Sequence, residues 1–187
     1  MKLLFISSCS VTLGLMALLS LSAFASGVSG GGGNVMFPVD PKNPAPLAEV
    51  QAKVGEARGS VASYFEAKQE LFQKGNLSAE DAALFGPLLQ AGKGMVAVAR
   101  ETGVDIEQKS SCFDSAATPV DGSIISDHRG EVCVSALSIS KRVERRDVPA
   151  QSAALLAHEF TEVLGFGEDE AVRVQSKVLA DFRGQQR

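Results

Sequence analysis

Near the C-terminus the chain reads Leu155-Leu156-Ala157-His158-Glu159-Phe160-Thr161-Glu162-Val163-Leu164-Gly165-Phe166-Gly167-Glu168-Asp169-Glu170. His158 and Glu162 are four residues apart, so on a helix they project side by side. Glu159 follows His158 and points partly to the same side. A second helix is expected directly after Gly165-Phe166-Gly167, with three carboxylates at its start. A histidine, a glutamate and one carboxylate from the next helix can converge on one metal ion and leave a position for water. Three protein ligands plus water is the arrangement of catalytic zinc. Glu159 would then polarise that water as general base. The competing reading is that Glu168, Asp169 and Glu170 only complement a helix dipole, and that His158 is a half-buried core residue.

The string HEFTEVLGFGEDEA resembles the zincin metallopeptidase signature H-E-x-x-H, followed by a glycine. The order of a long backing helix, a small sheet, a site-bearing helix and a glutamate-bearing helix resembles compact gluzincin-like secreted proteins. The specific resemblance covers residues 132–175, and before residue 104 it is architectural only. It implies that His158 is the first metal ligand and Glu159 the catalytic base. Glu162 stands where the family has its second histidine. Glu170 suits a gluzincin-like third ligand, lying one turn before Val174 on the packed face. Glu168, the alternative, falls where metzincins place their third histidine. Zinc is the expected ion, with manganese, iron or no ion as alternatives. One histidine and two carboxylates make a harder, more anionic set than two histidines. Such a site acidifies water less, so metal binding would outlast hydrolysis. The implied function is an exported metal-dependent peptidase acting on peptide or protein. The alternative is a catalytically inactive zincin-like scaffold acting as an envelope or secreted binding protein.

The remaining candidates are sparse. His128 lies in a predicted hairpin turn, where it is either a solvated residue or a ligand from outside the motif. Lys141-Arg142-Val143-Glu144-Arg145-Arg146 is a short basic run, read as a solvated connection. There is no G-x-S-x-G nucleophile elbow.

These residues sit in a chain of 187, 45% hydrophobic, 21% charged and without tryptophan. That composition excludes a disordered acidic chain. With 18 basic and 22 acidic residues it lacks the cationic footprint of a nucleic-acid binder. Residues 1–25 carry one charge, Lys2, then an apolar run ending Ala23-Phe24-Ala25, which reads as a secretory signal peptide. Export to a periplasm or the extracellular space follows from that reading. No later apolar stretch is long enough to span a bilayer. After residue 25 only Cys112 and Cys133 remain, and in an exported chain two cysteines are read as one disulfide.

Residues 26–46 form a Gly/Pro-rich stretch, with Gly30 to Gly33 unbroken, read as a flexible arm. Residues 47–187 read as one globular domain. Its first part, 47–103, is helical. Leu47, Val50, Val54, Ala57, Val61, Tyr64 and Leu71 mark one face of a helix over 47–74. Ser78 opens a second helix, broken or kinked at Gly86-Pro87, and 88–102 continues as a helix. In 104–146 the spacing predicts a hairpin, with strands at 123–127 and 131–140. In 147–187, Asp147 is the expected N-cap of the HEFTE helix, and a last helix runs from Glu168 to about Phe182. The expected fold class is α+β, α-rich with a small antiparallel sheet or hairpin.

Overall fold

The computed structural model describes residues 32–36, 41–125 and 130–185. The expected signal peptide and His128 lie outside the described residues.

The fold is α-rich α+β. Six helices are described: α1 (Leu47–Gln73), α2 (Ala79–Gln90), α3 (Gly94–Glu101), α4 (Ala136–Arg142), α5 (Val148–Val163) and α6 (Glu168–Gln185). The strands are β1 (Gly103–Glu107), β2 (Cys112–Phe113), β3 (Pro119–Val120), β4 (Gly122–Ile124) and β5 (Glu131–Ser135).

Helix α5 is central. Every residue from Ala150 through Glu162 is buried, polar ones included. It packs on α1 and α6 along its length and on β4 at the level of the site. Its neighbours present apolar stripes at helical spacing. On α1 these are Val50, Val54, Ala57 and Val61, and on α6 Ala171, Val174 and Val178. Leu71 departs from its predicted place and is exposed, while Phe65 is fully buried. Phe65 meets Phe85 edge to face at 5.5 Å, and Tyr64 meets both rings the same way. Each such pair contributes about 0.5–1.5 kcal/mol beyond its burial. Beside them Lys68 pairs with Asp81 at 2.7 Å and with Asp181 at 3.2 Å.

The predicted hairpin is present: β4 and β5 pair antiparallel with Ser123 opposite Cys133. The sheet is nevertheless mixed. β1 lies on the other side of β5 and runs parallel to it, Val104 opposite Val132 and Ile106 opposite Val134. The second hairpin strand is shorter than expected, because the chain turns into α4 after Ser135, which ends β5 and caps the helix, its Oγ accepting from Ser138 N at 3.1 Å. The disulfide is as expected: Cys112 in β2 is joined to Cys133 in β5.

Three local features differ from expectation. α2 runs through Pro87 to Gln90, and the chain turns instead at Gly92, with φ +49°. Asp147 makes no cap hydrogen bond, because its carboxylate is engaged by the Arg183 guanidinium. The basic run is not simply solvated. Arg142 binds Asp121 at 2.7 Å, and Arg145 binds Glu49 at 2.6 Å.

Among the described residues no single helix is long and apolar enough to cross a membrane. α2 and α3 pass on length and composition only as a pair bent by 62°.

Candidate functional site

The last turns of α5 place His158, Glu159 and Glu162 in the interior. They are 1%, 0% and 2% exposed. One ligand atom from each lies within 4.8 Å of the others. The helix ends at Gly165, whose φ of +89° is open to glycine alone without strain. The N–H of Phe166 returns to Thr161 O, and α6 then starts at Glu168. This tight reversal carries the first turn of α6 back over the end of α5.

Glu168 is the acidic residue that the reversal delivers. Its Oε2 lies 3.5 Å from His158 Nε2, and Glu162 Oε2 lies 3.9 Å from the same nitrogen. Glu170, the favoured third ligand at the sequence level, is turned outward and forms an ion pair with Arg173 at 2.6 Å. Its position one turn before Val174 places it at the rim of the packed face rather than over His158. Of the two carboxylates, Glu168 is the one that lies beside His158, and it is half exposed, on the solvent side of the cluster.

Both His158 ring nitrogens, both Glu162 oxygens and Glu159 Oε2 are buried without a hydrogen-bond partner among the described residues. Buried polar groups are normally paired, and each unpaired one costs on the order of 1–3 kcal/mol. Here five such atoms share one small volume. The electrostatics follow from the burial. Glu159 is pushed well above the usual carboxyl range, by burial first and by the Glu162 charge second, with the Gly33 N–H opposing. Burial and the Glu168 charge push Glu162 up to about 8. Burial also pushes the His158 imidazolium down, against the pull of the Glu168 charge and of the adjacent Gln175 and Glu168 side chains. Without a cation the site thus favours neutral forms of all three residues.

The donor set suits a divalent ion. Two ligands about 2.1 Å from a tetrahedral ion stand roughly 3.4 Å apart. The separations of His158 from Glu168 and from Glu162 are close to that value. Glu162 also lines a cleft of ≈ 900 Å³, whose walls carry Asp105, Glu107 and Asp114 and the Cys112–Cys133 disulfide. The Glu162 carboxylate itself stays buried beneath the wall of this cleft.

The opposite side of the cluster is covered by a part of the chain expected to be a flexible arm. Residues 32–36 lie across α5 and are held there. Gly33 N donates to Glu159 Oε1 at 2.9 Å. Gly33 O accepts from Asp121 N and Gly122 N at 3.1 and 2.9 Å. Val35, the buried apolar residue of the segment, belongs to the core. Sequence reasoning missed Gly33, Asp121, Gln151 and Gln175 as parts of this site. The available signal was the pair of glutamines, each on a helix face that is otherwise apolar.

No protein-family model, curated protein or solved structure matches the chain, so the site is read on its geometry alone.

Proposed function

We propose that the protein is an exported, zincin-like metal-dependent hydrolase of peptide bonds, with His158, Glu162 and Glu168 as metal ligands. The observation that carries this reading is the set of five unpartnered buried polar atoms on His158, Glu159 and Glu162. A divalent ion would take one His158 ring nitrogen and the Glu162 carboxylate as ligands and offset the charge that burial disfavours. The resemblance of HEFTE to H-E-x-x-H supports the same assignment. Export rests on the pattern of residues 1–25, and the disulfide is compatible with it.

An ion held there would polarise a carbonyl and make water a better nucleophile at neutral pH. Glu159 Oε2, free of any protein partner, would take the proton of the attacking water. The carbonyl carbon gains the water oxygen, the C–N bond breaks, and Glu159 returns its proton to the leaving amine. The cleft at Glu162 would admit the substrate. The replacement of the second histidine by Glu162 makes this a slow hydrolase with a preference shifted toward manganese or iron.

The test is hydrolysis of a mixed peptide library by the metal-saturated protein, with mass-spectrometric detection. Glu159→Gln is expected to lower the rate at least about 100-fold, the scale of a lost general base, without loss of metal. Equal rates in the two proteins would contradict the assignment. A second reading follows from the hydrogen bond of Gly33 to Glu159 and the cover over it: a scaffold that binds metal without hydrolysis. It predicts stoichiometric metal and no cleavage of any peptide.

A further inference from the structure

Residues 32–36 are held by hydrogen bonds from elements distant in the sequence. Beyond the three bonds of Gly33, Val35 N donates to Asp121 Oδ2 at 2.9 Å. Gln175 Nε2 donates to Asn34 O at 2.7 Å. The Gln151 amide reads both sides of Met36, its Oε1 accepting from Met36 N at 3.1 Å and its Nε2 donating to Met36 O at 2.5 Å. Four side chains from distant parts of the sequence thus converge on one backbone. Glu159, Asp121, Gln151 and Gln175 are each at most 2% exposed. Burying four polar side chains is costly unless each is paired, and the backbone of this one segment supplies partners to all four.

The groove also selects side chains. A Cβ at position 33 would lie 2.6 Å from Glu159 Oε1, 2.9 Å from Leu155 Cδ1 and 3.0 Å from His158 Cδ2. Only glycine fits. The next residue, Asn34, is exposed, and Val35 is 2% exposed in the core. Position 32 is closed in the same way, a Cβ there running into Val120 Cγ2 and lying 2.6 Å from Gly122 O, so the pattern admitted is two glycines, an exposed residue, then a small apolar residue.

We propose that residues 32–36 are a tethered ligand in a groove for Gly-Gly-x-Val peptide, and that this groove runs beside the His158–Glu159–Glu162 cluster. The groove stands on its own contacts, whereas its bearing on catalysis rests on the function proposed above. Tethering makes the segment a strong competitor, since a short covalent link gives an effective concentration on the order of millimolar. A free peptide therefore competes poorly while the native segment is intact. A substitution that expels the segment should empty the groove for a peptide supplied in trans.

The experiment uses the full chain, metal-free, as wild type and as Gly33→Ala. Hydrogen exchange reports residues 32–36 and α5 separately. Fluorescence anisotropy follows binding of a labelled synthetic peptide of residues 30–36. In Gly33→Ala the amides of Val35 and Met36 should exchange at least tenfold faster while α5 stays protected. The peptide should bind that variant at least tenfold more tightly than wild type. The same peptide with alanine in place of its fourth glycine should lose at least tenfold in affinity. Unchanged exchange at 32–36, failure of the peptide to bind Gly33→Ala, or loss of α5 protection together with the segment would each overturn the proposal. The last outcome would make the segment an inseparable part of the core. Absence of metal binding would sink the hydrolase and leave these readouts untouched.

Discussion

The amide of Gly33 donates a 2.9 Å hydrogen bond to Glu159 Oε1 across 126 residues of sequence. It is the one hydrogen bond of the Glu159 carboxyl among the described residues, whose other oxygen is buried and unpartnered. The expected catalytic base is thus tied to the start of the described chain. Gly122 closes the same carboxyl from the sheet side, where a Cβ would lie 2.7 Å from Glu159 Oε1 and 3.2 Å from Leu155 Cδ1.

That crowding predicts the effect of Gly122→Ala. The added methyl has no space, so either the β4 backbone or the Glu159 side chain must shift. A loss of about 1–3 kcal/mol is expected, read as a lower urea midpoint. Gly55→Ala is the contrasting case, because a Cβ there meets nothing within 4 Å on a regular stretch of α1. It should stabilise by about 0.5–1 kcal/mol. Equal effects of the two substitutions would contradict the packing described around Glu159.

The pH dependence of the metal-free protein has a defined sign. Glu162 is raised to about 8, by burial and by the charge of Glu168, and Glu159 is raised well above the usual carboxyl range by burial and by Glu162. A carboxyl raised in the folded state keeps its proton where the unfolded chain has lost it. Its stabilising effect is complete below the unfolded value and fades as pH rises through the folded one. His158 is lowered by burial, so its effect is lost as pH falls below its ordinary 6.5. Between pH 6.5 and 8 the carboxyls dominate. Stability should fall there by up to about 1.4 kcal/mol per pH unit for each proton involved, followed as the urea midpoint. Glu162→Gln should flatten the slope. A midpoint that rises with pH in this window would contradict the buried acidic pair.

The Cys112–Cys133 bridge closes a loop with a sequence separation of 21 and ties β2 to β5. Replacing both cysteines with serine should cost about 3 kcal/mol by the chain-entropy estimate for a loop of that size. Thermal unfolding of the double variant against the oxidised parent measures it. No difference in Tm would mean that the loop is already ordered in the unfolded chain.

Much of the helical frame was legible because it follows a single period. The stripes on α1 and α6 are written at three- and four-residue spacing, and Ser78 and Gly165 punctuate their helices where expected. The mixed sheet was not legible, because the parallel pairing of β1 with β5 is set by tertiary packing and has no local sign. α4 was hidden for a similar reason. The alternation of Val132 and Val134 reads on into 136–140 as strand, and only the Ser135 cap diverts it. At the site, His158, Glu159 and Glu162 were found through i, i+4 spacing on one helix. The exchange of Glu170 for Glu168 depends on the angle at which α6 leaves Gly165. The role of residues 32–36 lay beyond local patterning altogether. A glycine run is the composition of a free linker, yet the absence of a side chain is also what lets Gly33 approach Glu159.

The account rests most directly on metal stoichiometry. Protein of residues 26–187 would be purified without chelator, saturated with zinc or manganese, desalted and analysed by elemental mass spectrometry. The comparison set is His158→Ala, Glu162→Ala, Glu168→Ala and Glu170→Ala, each checked for native far-UV circular dichroism. The account predicts one ion per chain in the parent and in Glu170→Ala, and a loss of at least tenfold in affinity in the other three. A parent that retains no ion, or a folded His158→Ala variant that retains it fully, would contradict the metal centre.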